Sequence, residues 1–288
     1  MVLSSLTPDV AILKIRDRIL ALHSRPLIMG VVNVTPDSFS DGGRYLEPSA
    51  AVAHAETLVA EGADLLDIGA ESSRPGAEPV GQEEELRRLL PVVTEVCRRL
   101  SVPVSVDTVK AEVAKQALEA GAHLINDITA LRGDPKMAEV VARSGAGLVL
   151  MHMQGTPATM QRAPAYVDVL GEIRQYLAER MAVAEQAGID RKHILLDPGI
   201  GFGKNPDHNL EILGRLDALL DLGRPLLVGV SRKAFIGQIL GRAVDQRLFG
   251  TAGAVAVAVW RGARVLRVHE VRAMREVARV AAAIAAHA

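Results

Sequence analysis

One phrase recurs six times along the chain: a helix-like stretch, a glycine, a short apolar run, and then a polar or charged residue. It reads EGADLLDIG around Gly62, AGAHLIND around Gly121, SGAGLVLMH around Gly145, AGIDRKHILLDPG around Gly188, LGRPLLVGVSRK around Gly223 and RGARVLRVH around Gly262. Glycine just past a helix end takes the left-handed cap that other residues resist. A short apolar run after it suits a strand buried on both faces, as in a parallel sheet. Two further runs, LIMGVVN from Leu27 and VPVSVD from Val102, lack the glycine but end the same way. Eight strands alternating with helices predict an α/β fold of the (β/α)8 TIM barrel type. Its active site lies at the C-terminal ends of the strands.

The strands are expected near Leu27–Val34, Leu65–Gly69, Val102–Asp107, Leu124–Ile128, Leu148–His152, Ile194–Asp197, Leu226–Ser231 and Val265–His269. Helices fill the gaps, among them Ser49–Glu61, Glu83–Arg99, Val109–Ala120, Tyr166–Ala187 and Val271–Ala286. The 288 residues are expected to form one domain, preceded by a short N-terminal extension of about 25 residues, since a barrel takes roughly 250. LFGTAGAVAVAVW (Leu248–Trp260) is apolar all round, so it is covered by the barrel or by another subunit. Two connections, Thr35–Arg44 and Glu71–Gly81, are long, follow strand C-termini and read as lids over the functional face.

Bulk composition narrows the function classes. A net charge of −1 gives no global field for nucleic acid or an anionic membrane, and 3% aromatics leave little for base stacking. No run approaches the ~18 apolar residues of a membrane span. Lys14, Arg16, Asp17 and Arg18 interrupt the N-terminal apolar stretch, so no signal-peptide core is expected and the cytoplasm is the default. Cys97 is the single cysteine, expected as a buried, inert thiol.

The strand ends carry the chemistry. Around the expected barrel they offer Asn33, Asp67, Asp107, Asn126 with Asp127, His152, Asp197, Ser231 with Lys233, and Arg267 with His269. So complete a polar ring fits a ligand rich in donors and acceptors. The simplest rival is internal ion pairing, such as Asp107 or Asp197 with Lys233. Asp107, Asp197 and Asn126 form an array able to read a flat heterocycle with amidine-like N–H groups. Lys233 either donates to such a ring or serves as a Schiff-base nucleophile. Arg267 and His269 alternate on the last strand, where the final helix begins, and read as a phosphate or diphosphate pocket. The bland reading pairs them with Glu270 or Asp41. Asn33 reaches the same anion or its Mg2+. His152, His193 and His208 lack metal-ligand spacing, and the latter two read as surface residues. The glycines of DPGIGFGK (Asp197–Lys204) match no dinucleotide fingerprint, and Phe202 reads as a wall.

At this point the motifs resemble the dihydropteroate synthase family over essentially the whole chain. GVVNVTPDSFSDGG (Gly30–Gly43) is similar to that family's first loop and ESSRPGA (Glu71–Ala77) to its second. SVD, IND, LDPGIGFGK, SRK and RVH follow in the family's order. The resemblance implies condensation of 6-hydroxymethyl-7,8-dihydropterin pyrophosphate with para-aminobenzoate, giving 7,8-dihydropteroate and pyrophosphate. It implies a pterin site of Asp107, Asn126, Asp197 and Lys233, lined by Ile128, Met151 and Phe202, with Arg267 alongside. Asn33, Arg267 and His269 would bind the pyrophosphate, with Mg2+ held through Asn33. Ser73, Arg74, Pro75, Phe202 and Ser231 would form the aminobenzoate site, where sulfonamides compete. Thr35, Pro36, Asp37, Ser38 and Phe39 would belong to a mobile loop. Asp107, Lys233, Arg267 and His269 would carry the chemistry, in a homodimer built on the late helices.

Three positions depart from the family pattern. Ser73 stands where threonine is more frequent, Ile200 where phenylalanine is common in DPGFGFGK, and Ala234 where serine often follows SRK. None removes a charge or a pterin donor. Two rivals are a methyltetrahydrofolate–corrinoid methyltransferase-like barrel and a catalytically silent pterin-binding paralogue. The first has no need of a pyrophosphate pocket, and the second none for the full set of charged residues.

Overall fold

A computed structural model describes residues 12–35, 48–74 and 76–287 of the chain. In chain order the elements begin with β1 (Ile12–Ile15) and β2 (Arg18–Ala21), then β3 (Leu27–Asn33), α1 (Pro48–Ala60), β4 (Leu65–Gly69) and α2 (Gln82–Arg99). There follow β5 (Val104–Asp107), α3 (Ala111–Glu119), β6 (Leu124–Asp127), α4 (Met137–Ser144), β7 (Gly147–Met151) and α5 (Val169–Gln186). The last third holds β8 (Ile194–Asp197), α6 (Pro206–Gly214), β9 (Leu226–Val228), α7 (Ala234–Leu240), α8 (Leu248–Trp260), β10 (Ala263–Val268) and α9 (Val271–Ala285). β3 to β10 close into one parallel barrel in sequential order, with β10 pairing β3. The expected (β/α)8 architecture is the observed one.

The glycine phrase has the backbone expected of it. Gly62, Gly121, Gly145, Gly188, Gly223 and Gly262 all have positive φ, between 64° and 111°. Each ends a helical segment where only a residue without Cβ turns at little cost, and each feeds a barrel strand. α5 begins at Val169 rather than Tyr166 because Asp168 caps it, its carboxylate accepting from the Gly171 N–H at 3.1 Å. β9 is shorter than expected and stops at Val228, three residues before Ser231.

Two apolar layers hold the barrel. Strand residues such as Ile28, Leu66, Val106, Leu148 and Leu196 pack outward against the helices. Inside the N-terminal end, Met29, Leu65, Leu124, Val149, Leu195, Leu227 and Val265 meet Leu13, Ile15 and Leu22. The N-terminal segment is therefore more than an extension. β1 and β2 form an antiparallel hairpin whose Leu13 and Ile15 plug the barrel floor. A Cβ on Gly147 would lie 2.1 Å from Leu124 and 2.6 Å from Ile15, so the first residue of β7 is glycine for space. Arg224, fully buried, locks the plug by donating to the carbonyls of Ile194 (3.1 Å) and Ile12 (3.2 Å). With that end filled, the opposite end is left for function. Among the described residues no helix is long and apolar enough to cross a membrane.

Candidate active site

The barrel register assembles the site row by row. Asn33 pairs with Gly69, Gly69 with Asp107, and Asp107 with Asn126, so four neighbouring strands end level. Met151 is level with Asp197 across β7 and β8. Asn33, Asp107, Asn126, Met151 and Asp197 open into one large cavity, which Lys233, Arg267 and His269 also line. The carboxylate/amide set and the cationic wall thus share one mouth.

The centre of that mouth is an ion-pair network that strand alternation alone does not reveal. Arg267 donates through Nε to Asp67 at 2.6 Å and through Nη2 to Asp107 at 3.2 Å. Asn126 donates to the same Asp67 oxygen at 3.1 Å. Asp67 is fully buried. An acid in the middle of the apolar run LLDIG requires a cation, and Arg267 supplies it. Burial, and next the charge of Asp67, push the Asp107 carboxyl upward, while Arg267 opposes them. Burial likewise raises Asp197 to about 6, against the Gly199 N–H that donates to it at 2.7 Å. Burial and Arg267 bring Lys233 down to about 8. Proton occupancy in this cavity is therefore poised near neutral pH.

Asp107 and Asp197 make no ion pair with Lys233. The Lys233 ammonium instead sits 4.1 Å from the centroid of the Phe202 ring. Nor does Arg267 bond Glu270, which is paired with Arg232 at 2.5 Å. Asp41, its other proposed partner, lies outside the described residues. Ser231 joins this second cluster: its hydroxyl meets His269 Nδ1 at 2.9 Å and Glu270 at 3.3 Å. Burial first, then Arg232, Arg267, Lys233 and Arg74, lower His269 to about 3, so the imidazole is neutral in the resting cavity.

The loop after β8 is shaped by a lysine that sequence reasoning passed over. Lys204 Nζ donates to the Phe202 carbonyl and to His152 Nδ1, both at 2.9 Å. A Cβ on Gly199 would fall 1.9 Å from the His152 carbonyl, so only glycine lets the two chains cross. Ile128, Met151, Met153 and Met160 form a separate apolar cluster, with Phe202 packed against it. Ile128, Met151, Met160 and Phe202 line the cavity and give it an apolar wall. The signal for Lys204 was present: a lysine closing a glycine-rich loop beside a buried histidine needs carbonyl acceptors.

Ser73 and Arg74 lie on the Glu71–Gly81 loop at the cavity rim, with Arg74 exposed. Thr35 lines the cavity too. Pro36, Asp37, Ser38, Phe39 and Pro75 lie outside the described residues. His208 and His193 are half-buried rather than on the surface. His208 closes a capping box with Asn205 and meets the Tyr166 ring edge-on at 4.9 Å. Among the described residues no cluster of three or more His, Cys, Asp or Glu could hold a metal ion.

Comparison with known proteins adds the chemistry of relatives. The pattern of the family described as pterin binding enzyme matches residues 29–269. The dihydropteroate synthase of Escherichia coli (strain K12) is 48% identical over 257 residues, covering 89% of this chain and 91% of its own. The Yersinia pestis dihydropteroate synthase, solved with a sulfonamide drug, superposes with a TM-score of 0.90 at 44% identity, covering 96% and 99% of the two chains. The Xanthomonas albilineans enzyme with 4-aminobenzoic acid gives 0.89 at 48% identity, covering 96% and 98%. A family pattern spanning the whole barrel, and relatives this similar over nearly their full length, show that the chain belongs to the pterin-binding enzymes and, among them, to the dihydropteroate synthases.

Proposed function

We propose that this cavity joins 6-hydroxymethyl-7,8-dihydropterin pyrophosphate to para-aminobenzoate by a dissociative displacement. One observation carries the assignment of parts: Arg267 bridges Asp67 and Asp107 within the cavity that His269 and Lys233 line. Ring-reading groups and the anion wall are thereby one electrostatic unit.

Asp107, Asn126 and Asp197 take the pterin N–H groups, and Lys233 donates to the ring. Ile128, Met151 and Phe202 clamp its faces. Asn33, Arg267, His269 and the N-terminus of α9 hold the pyrophosphate. The bond between the exocyclic methylene and the pyrophosphate oxygen breaks, its electron pair leaving with the oxygen. The amine nitrogen of aminobenzoate then donates its pair to the methylene and loses one proton. Asp107 favours positive charge spreading into the ring, while Arg267 and His269 stabilise charge on the leaving group. Ser73, Arg74, Pro75, Phe202 and Ser231 place the arylamine. The loops starting at Thr35 (Pro36, Asp37, Ser38, Phe39) and at Glu71 exclude water that would capture the electrophile. This site is also where a sulfonamide would compete.

The donor set agrees with a Mg2+ that arrives with its substrate. Asn33 supplies one neutral oxygen, and Mg2+ ordinarily combines one or two protein oxygens with phosphate oxygens and water. When bound there, the ion would neutralise charge on the departing pyrophosphate.

A cytoplasmic homodimer completes the reading, with the exposed apolar side of α8 and α9 as its contact. A coupled assay for pyrophosphate release tests the function: release should require both substrates. Release without aminobenzoate, or none with both, would point to one of the rival readings.

A further inference from the structure

The Glu71–Gly81 loop carries Ser73 and Arg74, yet it is tied to the barrel in few places. Within it, the Arg74 N–H donates to Ser72 Oγ at 3.4 Å and the Ala77 N–H to the Arg74 carbonyl at 3.1 Å. Among the described residues, one side-chain bond joins it to the body. The ammonium of Lys110, in the connection between β5 and α3, bonds the carboxylate of Glu71 at the loop's first residue. The same ammonium bonds Glu85, in the first turn of the helix that receives the loop's other end. Glu85 is itself seated on the loop, its N–H donating to the Gly81 carbonyl at 2.9 Å.

We propose that Lys110 is a positioning residue that staples both ends of the 71–81 loop and so sets where Ser73 and Arg74 meet the aminobenzoate. The inference rests on the assignment of that loop to aminobenzoate made above. Glu85 is fully buried, and its Oε1 has no partner among the described residues. A buried carboxylate in that state depends on its one cation. Burial works against the Lys110 charge, but the two carboxylates outweigh it and hold its pKa above the ordinary lysine value. The ammonium therefore stays charged throughout the working range. Lys110 lies three residues beyond Asp107, so the strand that presents a ring-reading acid also fixes the lid of the neighbouring subsite.

Removing Lys110 would strand Glu85 and endanger folding, so the informative variant is Glu71→Gln. It weakens only the loop arm and leaves the Lys110–Glu85 pair in place. Glu71→Gln should raise KM for aminobenzoate about tenfold, the equivalent of one charge-assisted bond. Pterin pyrophosphate affinity, by calorimetry, should stay within about twofold. Amide hydrogen exchange should quicken in residues 71–81 and stay unchanged in α3. Lys110→Arg should retain most of the wild-type KM, and Lys110→Met should not. An unaltered aminobenzoate KM in Glu71→Gln would overturn the staple. So would equal weakening of both substrates, or an arginine variant as impaired as the methionine one. If wild-type protein released pyrophosphate with no dependence on aminobenzoate, the loop assignment itself would fail, while the exchange measurement would still report on the staple.

Discussion

In the proposed reaction Arg267 does two things with one guanidinium: it neutralises the buried Asp67 and Asp107, and it presents positive charge to a leaving pyrophosphate. Its bonds among the described residues use Nε and Nη2, which leaves Nη1 for an incoming anion. Charge-assisted bonds are worth about 1.5–3 kcal/mol each. Arg267→Ala should therefore lower kcat/KM by at least tenfold to a hundredfold, measured on variant whose circular dichroism shows it folded. Wild-type kinetics in that variant would end the anion-wall assignment. Asp197 and Lys233 make a pH prediction. On the proposed reading the pterin needs Asp107 and Asp197 ionised and Lys233 protonated; burial raises Asp197 to about 6 and lowers Lys233 to about 8. As pH falls toward 6 Asp197 gains a proton, as does Asp107, which burial pushes up to about 7; above pH 8 Lys233 loses one, so kcat/KM should peak between about 7 and 8. Lys204, brought down to about 7 by burial, is the competing source of a basic limb. Lys233→Met decides between them: its residual activity should lack the basic limb, and persistence of that limb would transfer it to Lys204.

Elements of this barrel were readable to the extent that one physical rule governed them. The positive-φ glycines mark strand entries because a left-handed turn excludes most other residues, and that constraint is local. The polar strand ends were readable because buried chains seldom tolerate such residues. What escaped was set by contacts remote in sequence. The task of Asp67 is illegible in sequence, since its partner Arg267 lies two hundred positions away. Lys204 was passed over because its acceptors, the Phe202 carbonyl and His152, come together only when Gly199 crosses His152. In sequence the hairpin of β1 and β2 reads as an extension, because its short alternating run is broken by charges. Only the empty floor of a barrel makes it core. That floor carries the next prediction. Leu13 is fully buried among Met29, Leu65 and Leu195, so Leu13→Ala should cost about 2–5 kcal/mol in denaturant unfolding. Its kcat/KM should stay near wild type, because the hairpin lies at the opposite end from the cavity. A variant as stable as the parent would show that the plug is not part of the folding unit.

At the scale of the whole molecule, α8 and α9 face two ways. Thr251, Val255, Ala258 and Val259 turn inward from α8, and Val271, Met274 and Ala278 from α9. Outward, Val257, Trp260, Val280 and Ile284 are between 42% and 61% exposed and line one shallow apolar groove. Contiguous apolar surface of this kind on a folded domain marks an interface. A two-fold contact is self-complementary, so one substitution alters both sides of it. If the proposed dimer forms through this groove, Val280→Glu should convert it into a monomer of 30.7 kDa in sedimentation. Its unfolding temperature should change little beyond the loss of mass-action stabilisation. The inner side of α8 touches the Ser231–Lys233 turn. Thr251 Oγ1 accepts from the N–H of Arg232 at 3.3 Å, and Arg232 is held at a φ of 61° beside Ser231 and Lys233. A non-glycine residue in that conformation is maintained by its surroundings rather than by its own preference. Loosening α8 on dissociation should thus lower kcat/KM in step with the monomer fraction. Dilution of the wild-type enzyme should reproduce the Val280→Glu value at its limit. Specific activity independent of both dilution and the substitution would uncouple the groove from the SRK turn, and a monomeric wild type would remove the dimer altogether.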